Sequence, residues 1–210
     1  PEVRPTVVCS TRDRNILAIE SEVRGALVNG VESFLVVQGD MLPEVEHWSN
    51  SYEVVEHLRT LQTSVAPLRF EVGMSTRSRA WTFRRRVKVG SQFFTTGPAM
   101  DPATVQPCAD RLELREGDPP VYLEVIPPFS TSWVKRLEQA GALRVTEAFR
   151  ARLDAVPANE RRRWAWRTAR AIAAEGRRAG FAGIVLMGLK FETVAGEAYA
   201  AWHDTALAPA

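Results

Sequence analysis

The sequence predicts an α/β fold with a parallel sheet, and three observations lead there. Short apolar runs recur along the chain, each followed by a stretch with helical spacing of its apolar residues. No Asn-Gly or similar tight-turn pair joins one strand directly to the next, as antiparallel hairpins require. The chain has 210 residues, 45% hydrophobic and 25% charged, a size and composition suited to one globular α/β domain.

Taken in order, Val7-Val8-Cys9 reads as the first strand and Ser10-Thr11-Arg12-Asp13 as the loop that leaves it. Asn15 or Asp13 caps a helix carrying Ile16, Leu17, Ile19, Val23, Ala26 and Leu27 on one side. Gly30 stops that helix at the C′ position. Phe34-Leu35-Val36-Val37 follows as an unbroken apolar run, which fits a strand buried on both faces, and it ends in Gln38-Gly39-Asp40. A βαβ unit of this kind is right-handed.

The rhythm then repeats. Met41–Asn50 is a polar loop, Tyr52–Leu61 a helix, Leu68–Met74 a strand, and Trp81–Val89 a helix stopped by Gly90. Gln92–Thr96 is a strand ending at Gly97-Pro98. Pro102–Leu114 is a helix that Pro107 interrupts or delays, and Val121–Ile126 is a strand closed by Pro127-Pro128. Helices are expected at Trp133–Gln139, Val145–Leu153 and Asn159–Arg178, a last strand at Gly183–Leu189, and a last helix at Ala195–His203. Six strands, each followed by a helix, and no internal linker give one domain over residues 1–210.

Composition narrows the function classes. No apolar run approaches the ~20 residues of a membrane helix, and no signal-peptide pattern opens the chain. Cys9 and Cys108 form neither a CxxC motif nor a disulfide framework, so a reducing, cytoplasmic setting is expected. The formal charge of +2 is too small to argue for nucleic acid. His47, His57 and His203 lack the spacing of metal ligands. No G-x-S-x-G elbow, P-loop or G-x-G-x-x-G is present.

In a parallel sheet the strand ends share one edge, where loops build sites. The polar residues expected there are Cys9, Ser10, Thr11, Arg12, Asp13, Gln38, Asp40, Thr95, Thr96 and Lys190. Asp40 leads, with two plainer readings beside it: a turn Asp next to Gly39 and a cap for the following helix. Arg84-Arg85-Arg86 with Lys88 is either a solvated cluster near a helix C-terminus or a clamp for the diphosphate of a nucleotide cofactor. Arg161-Arg162-Arg163 reads as surface, and Trp164 and Trp166 as packing residues.

The succession Thr11-Arg12-Asp13-Arg14-Asn15, Gly30 and Phe34–Asp40 resembles the methylenetetrahydrofolate reductase family. The likeness continues through Phe70–Gly73, Gly90–Thr96, Leu123–Pro127 and Gly180–Leu189. It implies a (β/α)8 TIM barrel, here with its third to eighth strands, the first two lying upstream of Pro1. It implies a flavoprotein of one-carbon metabolism and methionine biosynthesis, an oxidoreductase that passes hydride from NADH or NADPH through FAD to a folate substrate. By the same resemblance Asp40 is the catalytic residue, Thr6, Gln38, Gly39, Asp40, Arg85 and Arg86 hold the cofactor, and Asp40 and Thr96 contact the folate. Gln38, Gly97, Met187 and Phe191 depart from the family pattern. The alternative is a divergent, reductase-like protein that binds folate or a partner chain without flavin or without turnover. A homo-oligomer or a completing chain, with no nucleic acid and no membrane, is the expected set of partners.

Overall fold

Four strands, β1 (Thr6–Ser10), β2 (Ser33–Val37), β3 (Glu71–Ser75) and β4 (Phe93–Thr95), lie side by side in chain order and pair in parallel throughout. The computed structural model describes residues 5–39, 49–64, 68–76 and 80–187. Chain contacts divide it into two compact units, Pro1–Thr95 and Thr96–Ala210. Between the strands of the first unit run α1 (Ile16–Val28), α2 (Ser51–Ser64) and α3 (Ala80–Lys88). The second unit holds a 3-10 turn (Pro102–Thr104), α4 (Val105–Leu112), β5 (Val121–Val125), α5 (Thr131–Gln139), α6 (Glu147–Ala155), α7 (Arg161–Arg178) and β6 (Gly183–Leu186). There β5 pairs in parallel with β6.

Strand order that follows the chain without reversal is the arrangement of a (β/α) barrel; a doubly wound sheet reverses at a switch point. The fold is therefore α/β and of the (β/α) barrel type, as the sequence predicts. The described residues supply six strands, where eight close a barrel of this class.

Side-chain alternation explains how the first unit packs. Cys9, Phe34, Val36, Val72, Met74 and Phe94 share one face of the sheet and are all buried. Phe83 of α3 meets Phe94 edge-on with 4.8 Å between ring centroids, so this is the face the helices cover. The other face carries Val8, Ser10, Leu35, Val37, Gly73, Ser75, Phe93 and Thr95. The Phe93 ring crosses Gly73 so closely that a Cβ there would come within 2.3 Å of it. Only glycine admits that ring.

The strand expected to be buried on both faces is buried on one. Phe34 and Val36 are enclosed, while Leu35 and Val37 are half-buried, because the helices of this unit cover a single face. The helix expected over Pro102–Leu114 begins instead as a 3-10 turn capped by Asp101 and becomes α4 at Val105. Pro107 falls in the first turn of α4, where its missing N–H costs no intrahelical bond. The expected last helix, Ala195–His203, lies outside the described residues.

In the second unit a buried carboxylate fastens two helical starts. Asp101 is 0% exposed. Its Oδ1 accepts from the Ala103 N–H at 3.0 Å, and its Oδ2 accepts from the Thr146 N–H at 2.9 Å and the Thr146 hydroxyl at 2.7 Å. The Thr146 oxygen in turn accepts from the Phe149 N–H at 3.1 Å and caps α6. Phe149 packs with Met100, Ile126, Val134, Leu143 and Leu153 in the core beneath.

Two outcomes follow from these contacts. Replacing Asp101 with Ala strands three donors, and urea unfolding should show a loss of about 3 kcal/mol. Between α1 and α2, His57 Nε2 lies 2.5 Å from a Glu20 oxygen, and Arg24 donates to the other oxygen at 2.7 Å. The His57 hydrogen bond first, and then Arg24, hold the Glu20 carboxyl below its ordinary range. A lowered carboxylate pKa stabilises above the unfolded value and loses that contribution as pH falls through the folded value. Carbon NMR titration of Glu20 should therefore give a midpoint that rises in the His57→Gln variant.

Candidate functional site at the strand ends

The carboxyl ends of β1 to β4 form a row of small polar side chains on the face the helices leave open. Ser10 pairs with Val37 and Ser75 with Thr95, and one step beyond the Val36–Met74 pair sets Val37 beside Ser75. Thr95 is 4% exposed, and its hydroxyl is buried without a hydrogen-bond partner among the described residues. Thr11 and Thr76, each one residue beyond its strand, also have buried hydroxyls with no partner among the described residues.

Gly39 sets the shape of this edge. It has φ +83, and a Cβ there would come within 2.8 Å of Ser10 Oγ and 3.3 Å of Arg12 Cβ. The exit of β2 can therefore lie directly against the exit of β1. The Ser10 hydroxyl oxygen accepts from the Arg12 N–H at 3.3 Å, and the Arg12 guanidinium stands 3.6 Å from Asp13. The neighbourhood thus combines one cation, serine and threonine hydroxyls, and a glycine that clears space. Such groups suit ligand oxygens, particularly those of an anion.

The residues expected at the site are not all gathered there. Gly39 and Gln38 follow β2 at this edge, with Gln38 exposed. Asp40 and Lys190 lie outside the described residues. Thr6 is at the amino end of β1, where its hydroxyl donates to Ser33 Oγ at 3.0 Å. Arg85 and Arg86 occupy the last turn of α3 in the helix layer, with guanidinium carbons 4.6 and 5.9 Å from the Tyr52 ring centroid. Thr96, in the second unit, is fully buried; its hydroxyl donates to the Gly97 carbonyl and accepts from the Glu124 N–H. That hydroxyl is spent on backbone. The set expected to hold FAD is therefore not assembled among the described residues of this edge.

Two residues escape sequence reasoning. Ser75 joins the row only because register places it beside Thr95. Glu124 is the fourth of the five residues of β5 and is 9% exposed. Its neighbour Leu123 approaches Gly176 of α7, so alternation turns Glu124 to the opposite face of β5. A carboxylate inside the otherwise apolar Val121–Val125 was the available signal. Among the described residues no group of three His, Cys, Asp or Glu side chains is placed to hold a metal.

Cys9 is corrected from strand-end candidate to core residue. It points into the helix layer at 0% exposure, and burial first, then the Glu22 charge, push its thiol up to about 11. The thiolate is the reactive form.

No family model matches the chain, and no curated protein matches it. Solved structures do. A mandelate oxidase with benzoyl-formic acid is 14% identical, covering 87% of this chain and 49% of its own, at a TM-score of 0.47. The 7,8-dihydropteroate synthase of Vibrio fischeri ES114 is 12% identical over 89% of this chain and 61% of its own, at 0.43. A 3-hexulose-6-phosphate synthase is 14% identical over 97% of this chain and 99% of its own, at 0.38. Of the first two, this chain spans about half to three-fifths.

These findings overturn the resemblance to methylenetetrahydrofolate reductase. No family model carries it, and the matched structures named are other enzymes at low identity. The physical reason lies in what the motif residues do. Asn15 caps α1 by accepting from the Ala18 N–H at 2.8 Å, Asp13 adopts φ +56 in the preceding turn, and Gly30 and Gly39 have positive φ. Turns and caps select these residues in any βα unit.

The Cys9 environment sets a reactivity. In native protein at pH 8, Ellman's reagent should leave Cys9 unmodified, and Cys108, whose thiol is also raised by burial, should react slowly; both should react fully in denaturant. Rapid modification of Cys9 in the folded protein would contradict its placement.

Proposed function

We propose that this chain carries the substrate site of a (β/α) barrel enzyme, at the carboxyl ends of β1–β4, for a small organic molecule rich in anionic or hydroxyl oxygens. The observation that carries this reading is the Thr95 hydroxyl, buried without a partner in register with Ser75. Leaving such a group unsatisfied costs about 1–3 kcal/mol. A ligand oxygen arriving at the edge removes that cost. The Arg12 guanidinium, a third exposed beside the same edge, supplies attraction for an anion.

In this reading Ser10, Ser75 and Thr95 orient the ligand, and Gly39 admits it to the backbone between β1 and β2. Asp40, next in sequence after Gly39, is the candidate general acid or base. Flavin-dependent redox chemistry with NAD(P)H is a narrower form, and bound flavin colour in the purified protein is its readout.

The test is a titration of the protein with inorganic phosphate, ribose 5-phosphate, FAD and tetrahydrofolate, followed by calorimetry. At least one should bind, and Thr95→Val should weaken it by about tenfold while leaving thermal stability equal or higher, since the variant removes an unsatisfied hydroxyl. Absence of binding across the panel, or equal binding by the Val variant, would overturn the reading.

A further inference from the structure

The helix layer of the first unit holds a cation whose environment its own helix does not explain. α3 carries Arg84, Arg85, Arg86 and Lys88 and no acid. Positive charge in a last helical turn is favoured by the helix dipole, which accounts for Arg85 and Lys88, both exposed. Arg86 is different. It is half-buried, and its Nε and Nη1 are enclosed without a hydrogen-bond partner among the described residues. Nη2 is the corner of that guanidinium left open.

Tyr52, the second residue of α2, gathers the neighbouring charges. The guanidinium carbon of Arg85 lies 4.6 Å from its ring centroid and that of Arg86 5.9 Å. The ring attracts each cation but also brings two like charges to one place. Glu53 and Glu56 are the acids of the same end of α2. Glu53 accepts from Asn50 Nδ2 at 3.5 Å, and among the described residues no ion pair joins either acid to Arg85 or Arg86. A cation partly withdrawn from water is costly unless an opposite charge stands near it.

We propose that the α2–α3 junction at Tyr52, Arg85 and Arg86 binds a tetrahedral oxyanion of the phosphate class. The Arg85 fork and Nη2 of Arg86 donate to its oxygens, and Lys88, one turn on from Arg85, adds attraction. The guanidinium charge is delocalised, so an anion at Nη2 offsets the charge on the enclosed Nε and Nη1 without touching them. Both forks already rest on one ring, and little side-chain order is lost when the anion arrives. The site uses no strand-end hydroxyl and stands apart from the one proposed above.

The experiment is an NMR titration of the whole chain that follows backbone amides and the arginine Nε–Hε signals. Inorganic phosphate and ribose 5-phosphate are added in parallel, with sodium chloride at matched ionic strength as the control. Phosphate should shift the Arg86 Nε–Hε signal and the amides of Ala80–Lys88. Tighter binding of ribose 5-phosphate assigns the site to a phosphorylated small molecule, and tighter binding of inorganic phosphate to the free ion. Arg85→Gln and Arg86→Gln should each weaken binding about tenfold. Arg86→Gln should keep or raise the melting temperature, since it removes the enclosed cation. Thr95→Val should leave this binding unchanged, which separates it from the strand-end site. Absence of shifts, an equal response to chloride, undiminished binding in both Gln variants, or loss of binding in Thr95→Val would overturn the proposal.

Discussion

Parallel pairing in chain order is the constraint on which the rest of the first unit depends. Parallel strands cannot be joined by a tight turn, so every strand must be followed by a crossover that returns the chain to the same starting edge. α1, α2 and α3 are those crossovers, and they cover the face of Cys9, Phe34, Val36, Val72, Met74 and Phe94. The same rule gathers every carboxyl end at one edge. Ser10, Gly39, Ser75 and Thr95 are neighbours there because of register, though long stretches of sequence separate them.

Two glycines show how close that register is held. Gly73 leaves room for the Phe93 ring on the adjacent strand, and Gly39 leaves room for Ser10 and Arg12. Each is a position where a methyl group would have to displace a neighbour, and each serves a different layer. Gly73 lets a large aromatic ring fill the open face of the sheet; Gly39 lets two strand exits share one edge. The second unit uses a polar device in place of close contact. Asp101 ties the start of the 3-10 turn to the start of α6 and thereby sets Phe149 on its apolar core.

The strand-end hydroxyls have a different character from these structural contacts. Asp101 and Thr96 are buried with their hydrogen-bonding capacity used within the protein. Thr95, Thr11 and Thr76 are buried with none of theirs used. Polar side chains in protein interiors are nearly always paired, and these three hydroxyls are exceptions among the described residues.

The sequence by itself determined the class of fold and the place of most elements, because hydrophobic period, caps and glycine stops are local signals. Asn15, Gly30 and Gly90 mark their helices without help from the rest of the chain. The same locality misled the family reading: Thr11–Asn15 and Gly39 obey turn and cap chemistry that many βα units share. Tertiary structure alone decided which polar residues meet. Whether Thr96 or Thr95 keeps a hydroxyl to offer depends on one residue of alternation, and Ser75 joins the row only through its partner across the sheet. Arg85 and Arg86 are adjacent in sequence to the strand that follows, yet helix geometry carries them onto the Tyr52 ring. Pairing across strands and the facing of helices are long-range facts, set by packing free energy over the whole sheet, and no local window of sequence contains them.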